Sequence, residues 1–148
     1  MALRGLAEKK AETLAALERE IDAWVATASA DGEPYLIPLS FYWDGAGLVF
    51  STTPGSRTGR NLRRAGRARV ALPSTEDVVL IEGPVEFSAL EADPALADAY
   101  AAKTTWDPRT EPEEFVFIRV RPRLIRAWRG VEELLAGKDV MRDGVWLS

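Results

Sequence analysis

Neither cysteine nor histidine occurs in the 148 residues. Without cysteine there are no disulfides, zinc–thiolate centres or thiol nucleophiles. Without histidine a hydrolase triad of the usual serine type has no imidazole base, and haem loses its common proximal ligand. Acid–base work falls to Asp, Glu, Lys or Tyr. No carboxylate pair sits in a recognisable catalytic motif, so catalytic residues stay unassigned and no metal site is expected. An enzyme of this composition would leave its chemistry to a bound cofactor. No apolar run reaches the length of a membrane span. The opening Met1–Lys10 lacks the apolar core and small-residue cleavage site of a signal peptide. The expectation is a cytoplasmic protein with no membrane partner.

The chain is 47% apolar and 28% charged, which fits one globular domain spanning 1–148. Its net charge is −4, yet Arg57, Arg60, Arg63, Arg64, Arg67 and Arg69 follow one another with no acid among them. An acidic chain offers no broad phosphate-tracking surface. The patch therefore reads as a local anion site plus a solvated helix face, and no nucleic-acid partner is expected.

Leu6, Leu14, Leu17 and Ile21 form one stripe of an amphipathic helix over residues 5–23. Strand-like content begins at Trp24–Ser29. Asp31-Gly32 signals a hairpin into Pro34–Trp43, and Asp44–Gly47 a second one into Leu48–Thr53. A helix at 56–65 interrupts this meander. Ala68–Pro73 and Val78–Ser88 read as strands, with a bulge suggested at Gly83-Pro84. A helix follows Asp93, with Pro94 in its first turn. Thr104–Glu114 is a charged, Pro-rich loop, and Phe115–Arg121 and Leu124–Arg129 are strand-like. The tail Val131–Ser148 carries weaker signals. About six hairpin-linked strands with marginal helices describe a mainly β, six-stranded antiparallel barrel.

Val49–Leu62, V-F-S-T-T-P-G-S-R-T-G-R-N-L, is the most informative stretch. It reads as a strand, a hydroxyl-rich turn and a helix opening at Ser56, a good N-cap. A helix N-terminus presents unpaired N–H groups and the positive end of a dipole, which favour an anion. Arg57 and Arg60 add guanidinium forks suited to phosphate, and Ser51, Thr52 and Thr53 add hydroxyls. The turn is not a Walker loop, because the Gly-Lys-Ser/Thr ending is missing. An ordinary capped helix with solvated arginines is the competing reading of the same residues.

Taken in order, five segments resemble the flavin-binding split-barrel proteins related to pyridoxamine 5′-phosphate oxidase. They are W-V-A-T-A-S-A-D-G-E-P (24–34), I-P-L-S-F-Y-W-D-G (37–45), V-F-S-T-T-P-G-S-R-T-G-R-N-L-R-R (49–64), D-V-V-L-I-E-G-P-V-E-F (77–87) and A-W-R-G (127–130). The chain most resembles the actinobacterial branch, which uses FMN or the 5-deazaflavin coenzyme (F-420). The resemblance implies a homodimer with the cofactor at its interface and a small-molecule substrate. It places Pro38, Leu39 and Ser40 against the cofactor ring, and Ser51 and Thr52 near the ribityl chain and phosphate. Ser56, Arg57 and Asn61 match the phosphate turn and the helix behind it. Trp128 resembles an aromatic that reaches the ring from the partner subunit; core or interface packing is its other reading. Many relatives read S-x-K at the phosphate turn. Here Thr58 replaces the lysine, which leaves Arg57 or Arg60 to supply charge. Trp106 and Arg109, on the Pro-rich loop, offer an apolar wall and an anion contact to substrate, or else anchor the loop.

The function implied is hydride transfer between a flavin-type cofactor and a small organic molecule. A carrier or sensor that holds the cofactor without turnover is the alternative. The vitamin B6 oxidase itself ranks low, because its C-terminal R-x-H signature is missing.

Overall fold

Two tight reversals organise the first third of the chain. At the second, the Asp44 carboxylate accepts from the N–H groups of Ala46 and Gly47 at 2.9 and 2.7 Å, which fixes the loop between its strands. The turns join β1 (Asp22–Ala28), β2 (Pro34–Trp43) and β3 (Leu48–Thr52) into an antiparallel meander. These coordinates are a computed structural model and describe residues 3–148. Before the meander lies α1 (Leu6–Arg19). After it come α2 (Arg57–Ala65), β4 (Arg67–Ala71), β5 (Asp77–Ala89), α3 (Pro94–Thr104), β6 (Val116–Val120), β7 (Leu124–Arg129), α4 (Gly130–Ala136), β8 (Asp139–Arg142) and β9 (Val145–Trp146).

The ladder runs β4–β1–β2–β3–β6–β5 and returns to β4, so six antiparallel strands close a barrel with helices on its flanks. Closure removes the exposed edges that an open sheet would leave. The strands β7, β8 and β9 extend outward from β5. β5 is shared: Asp77–Glu82 pair with β7, and Val85–Ala89 pair with β6. Between those segments Gly83-Pro84 faces Arg121–Arg123. The extra residue therefore sits in the opposing chain, not at the glycine as the sequence suggested. Gly83 permits the crease because a Cβ there would lie 1.8 Å from the Arg121 carbonyl oxygen.

Alternation along the strands sorts the side chains into two cores. Val25, Phe41, Phe50, Val70, Ile81 and Ile118 fill the barrel, and Ile125 of β7 continues the same core. Phe41 and Phe50 meet at 5.8 Å between ring centroids. On the opposite face of β3, Val49 joins Phe117, Leu90, Ala97 and Tyr100 beneath α3. Burial raises the Tyr100 phenol above its ordinary value, and its hydroxyl donates to the Ser40 carbonyl at 3.1 Å.

The first helix differs from the expectation of residues 5–23 in its end and in its buried stripe. The first helix stops at Arg19, and β1 begins two residues before Trp24 because Asp22 pairs with Ser40. The buried stripe of α1 is Lys9, Thr13, Ala16 and Leu17, while Leu6 and Ile21 stay exposed. Lys9 is buried because its ammonium donates to the Gly137 carbonyl at 2.8 Å. The tail, where sequence signals are weak, forms α4, β8 and β9. Buried Glu133 anchors α4 by accepting from Arg4 and from the Arg129 N–H, and Val140 and Met141 of β8 enter the main core. No helix among the described residues is long and apolar enough to cross a membrane.

Candidate functional site

The turn between β3 and α2 is built on one hydroxyl. Ser56 Oγ accepts from the Gly59 N–H at 3.0 Å, donates to the Thr53 carbonyl at 2.8 Å and lies 3.1 Å from Thr52 Oγ1. That is the N-cap expected from the sequence. Gly59 is required there, since a Cβ would meet the Thr53 and Pro54 carbonyl oxygens at 2.5 and 2.9 Å. With the Gly59 amide satisfied, those of Arg57 and Thr58 have no intrahelical acceptor and mark the positive end of α2.

Thr58 is 1% exposed, and its Oγ1 is a buried polar atom with no hydrogen-bond partner. An orphaned hydroxyl of this kind costs about 1–3 kcal/mol unless something else satisfies it. Arg57 lies over the Tyr35 ring, 5.0 Å from its centroid, and Arg60 folds back to the Gly55 carbonyl. Behind the turn, Asn61 Nδ2 donates to Thr27 Oγ1 at 3.1 Å, which ties α2 to β1.

The structure thus gathers Thr52, Thr53, Ser56, Arg57, Thr58, Arg60 and Asn61 at one helix terminus. Thr27 and Tyr35 belong with them, although no local motif in the sequence marks either. Their signal was the hairpin register, which places Thr27 opposite Tyr35. Other candidate residues stand elsewhere. Ser51 Oγ donates to the Val116 carbonyl at 3.0 Å, so that hydroxyl serves the β3–β6 seam. Ser40 Oγ donates to Asp22 at 2.7 Å. Pro38 is exposed on the outer face of β2, whereas Leu39 packs against the barrel core. Trp128 lines a separate cleft of about 410 Å³ with Thr75, Glu76, Val131 and Leu134.

Trp106 and Arg109 hold their own loop. The Trp106 ring packs edge-on against Tyr100 and Phe115, and its indole N–H donates to Glu111 at 2.8 Å. The Arg109 guanidinium is paired with Asp107 and Asp98, both at 2.9 Å.

Six strands close the barrel, and the helix after the third begins at the Ser56 turn. The model of the pyridoxamine 5′-phosphate oxidase family matches residues 10–129. The chain belongs to that family. Solved structures agree on the pyridoxamine 5′-phosphate oxidase-like fold. One named F420 reductase is 22% identical, covers 75% of this chain and 93% of its own, and superposes with a TM-score of 0.64. General stress protein 26 from Bacillus anthracis is 18% identical over 80% of this chain and 92% of its own, with a TM-score of 0.66. A heme-binding protein from Mycobacterium smegmatis is 25% identical over 88% of this chain but only 57% of its own length, with a TM-score of 0.64. No curated protein matches the chain.

Proposed function

We propose that this pyridoxamine 5′-phosphate oxidase family member binds FMN or the 5-deazaflavin coenzyme at the N-terminus of α2 and is an oxidoreductase acting on a small organic substrate. The observation that carries the proposal is the orphaned Thr58 hydroxyl, buried in the first turn of a helix whose leading amides have no intrahelical acceptor. A phosphate brings several acceptor oxygens to this end of the helix. Arg57, carried on the Tyr35 ring, supplies charge in place of the lysine common in relatives. When bound, the flavin-type ring supplies the hydride chemistry. The chain's part is to hold the phosphate, present the β2 backbone around Pro38–Ser40 to the ring and exclude water from it.

A second copy of the chain completes this reading. Residues directly opposite in antiparallel ladders share a face. By that rule Trp24, Leu36, Pro38, Ala71, Val78, Leu80 and Trp128 line one outer face of the sheet. Trp24 is 42% and Leu36 57% exposed. A contiguous apolar sheet face of this kind favours a partner surface. A homodimer through it would carry Trp128 toward the partner's cofactor. Trp106 and Arg109 stay outside the proposal, because their polar groups are already satisfied within the loop.

The cradle contains no carboxylate and no lysine, which favours a cofactor carrier or sensor as the second reading. Fluorescence titration with FMN and with the deazaflavin coenzyme, side by side, tests the site. Saturable binding of one at micromolar affinity or better is the expected result; failure of both would remove the phosphate reading. Steady-state reduction of candidate acceptors then separates an oxidoreductase from a carrier.

A further inference from the structure

At the opposite end of α2 from Ser56 lies a cleft of about 670 Å³, walled by the helix C-terminus, β1, β4 and β5. Ala26, Ala65, Ala68 and Pro84 make it partly apolar. Four guanidiniums border it, those of Arg64, Arg67, Arg69 and Arg123, against a single carboxylate, Glu82. Two of the four are engaged: Arg64 donates to the Ala28 carbonyl at 2.7 Å, and Arg69 pairs with Glu82. The exposed side chains of Arg67 and Arg123 make no ion pair or hydrogen bond among the described residues.

The carbonyls at the end of a helix amount to roughly half a negative charge. Three excess positive charges outweigh that. Gathering like charges around one concavity raises their mutual repulsion unless an anion enters. In a chain of net charge −4, the cleft is therefore a local inversion of sign.

We propose that this cleft binds a ligand, or the end of one, carrying two or more anionic groups, carboxylates or phosphates. Arg67 and Arg123 contact it, and Arg64 and Arg69 shape the wall. Arg57, Arg60 and Arg64 recur along one face of α2, and the helical rise puts the first and last about 10 Å apart. The anion has two sources within that geometry. It is either the acidic end of a ligand whose phosphate occupies the Ser56 turn, or a free polyanion. Only the first source rests on the proposed cofactor site.

Isothermal titration of the full chain at low salt, with inorganic pyrophosphate and separately with citrate, tests the cleft. Two saturable pyrophosphate sites are expected, the Ser56 turn and the cleft. The double variant R67A/R123A weakens the cleft site at least tenfold and spares the other, R67K/R123K retains most of it, and R57A weakens the Ser56 site alone. Thermal melts of the variants should match the parent, since both side chains are exposed. Absence of saturable binding, or binding unaffected by R67A/R123A, overturns the proposal whatever the cofactor titration gives. Pyrophosphate binding that R67A/R123A abolishes, in a chain that takes up neither FMN nor deazaflavin, would uphold the cleft while removing the cofactor reading. Deazaflavin binding that R67A/R123A weakens assigns the cleft to the acidic end of the cofactor. Unchanged deazaflavin affinity assigns it to a free polyanion, and either result keeps the cleft.

Discussion

Arg4 and Glu133 meet as a two-point ion pair, with Nη2 to Oε1 at 2.7 Å and Nε to Oε2 at 3.0 Å, and both side chains are buried. The same carboxylate accepts the Arg4 and Arg129 backbone N–H groups at 3.0 and 2.8 Å. Arg4 also reaches Glu12 at 2.6 Å, so the pair joins the segment before α1, α1 itself and α4. These bonds, chiefly the one from the Arg4 side chain, hold the Glu133 carboxyl down at about 2, against an ordinary value of 4.5.

A depressed carboxyl stabilises the fold only while it is charged. Its contribution is complete above pH 4.5 and is lost as the pH falls from there toward 2. Glu133→Gln should cost about 3–5 kcal/mol near neutrality, the scale for breaking one side of a buried pair. Melting temperatures of the parent and E133Q should converge across that acidic window. A gap that stays constant from pH 6 to pH 2 would show that the charge of Glu133 is not what stabilises α4.

Gly83→Ala places a methyl group against the Arg121 carbonyl, and neither backbone can withdraw without opening two ladders. The expected loss is about 3 kcal/mol, the upper range for overpacking. Chemical denaturation of the variant measures it. A loss under about 1 kcal/mol would mean that the crease relaxes freely.

Thr58→Val keeps the shape of the side chain and deletes its orphaned hydroxyl. The ligand-free protein should gain about 1–2 kcal/mol, because an unsatisfied buried group disappears. Cofactor affinity should fall at the same time. Arg57→Ala should weaken cofactor binding by about 1–3 kcal/mol, the scale of a charge-assisted hydrogen bond. Paired denaturation and fluorescence titrations read both signs. A T58V protein that gains stability and binds cofactor as before would take Thr58 out of the site.

Leu36→Arg puts a charge in the middle of the outer apolar face and should convert a dimer to monomers in sedimentation at micromolar concentration. Leu135→Arg, at an 80% exposed position on α4, serves as the control and should leave the assembly intact. Equal behaviour of the two variants would move the interface away from β1 and β2.

The barrel was legible because its signals are local. Asp31-Gly32, Asp44–Gly47 and the alternation around Phe41 and Phe50 each specify a reversal or a face within a few residues. The N-cap at Ser56 was legible for the same reason. What escaped depends on distant partners. Glu133 reads as a surface acid until Arg4 is placed beside it, and Lys9 reads as solvated until the Gly137 carbonyl closes over it. Leu124–Arg129 looks like any barrel strand, and only pairing with β5 puts it outside the ring. The position of Arg57 alone suggests a phosphate ligand, but the Tyr35 ring that steadies it follows from register across a hairpin.

Because β5 runs through both the closed ring and the outer extension, neither part can come apart without breaking hydrogen bonds of the other. The barrel and its extension should melt in a single transition, with no half-folded species to accumulate. Amides of β5 between Val79 and Phe87 should be among the last to exchange with solvent deuterium, at the free energy of global unfolding. The strand that gives the fold its asymmetry would then also be the seat of its cooperativity.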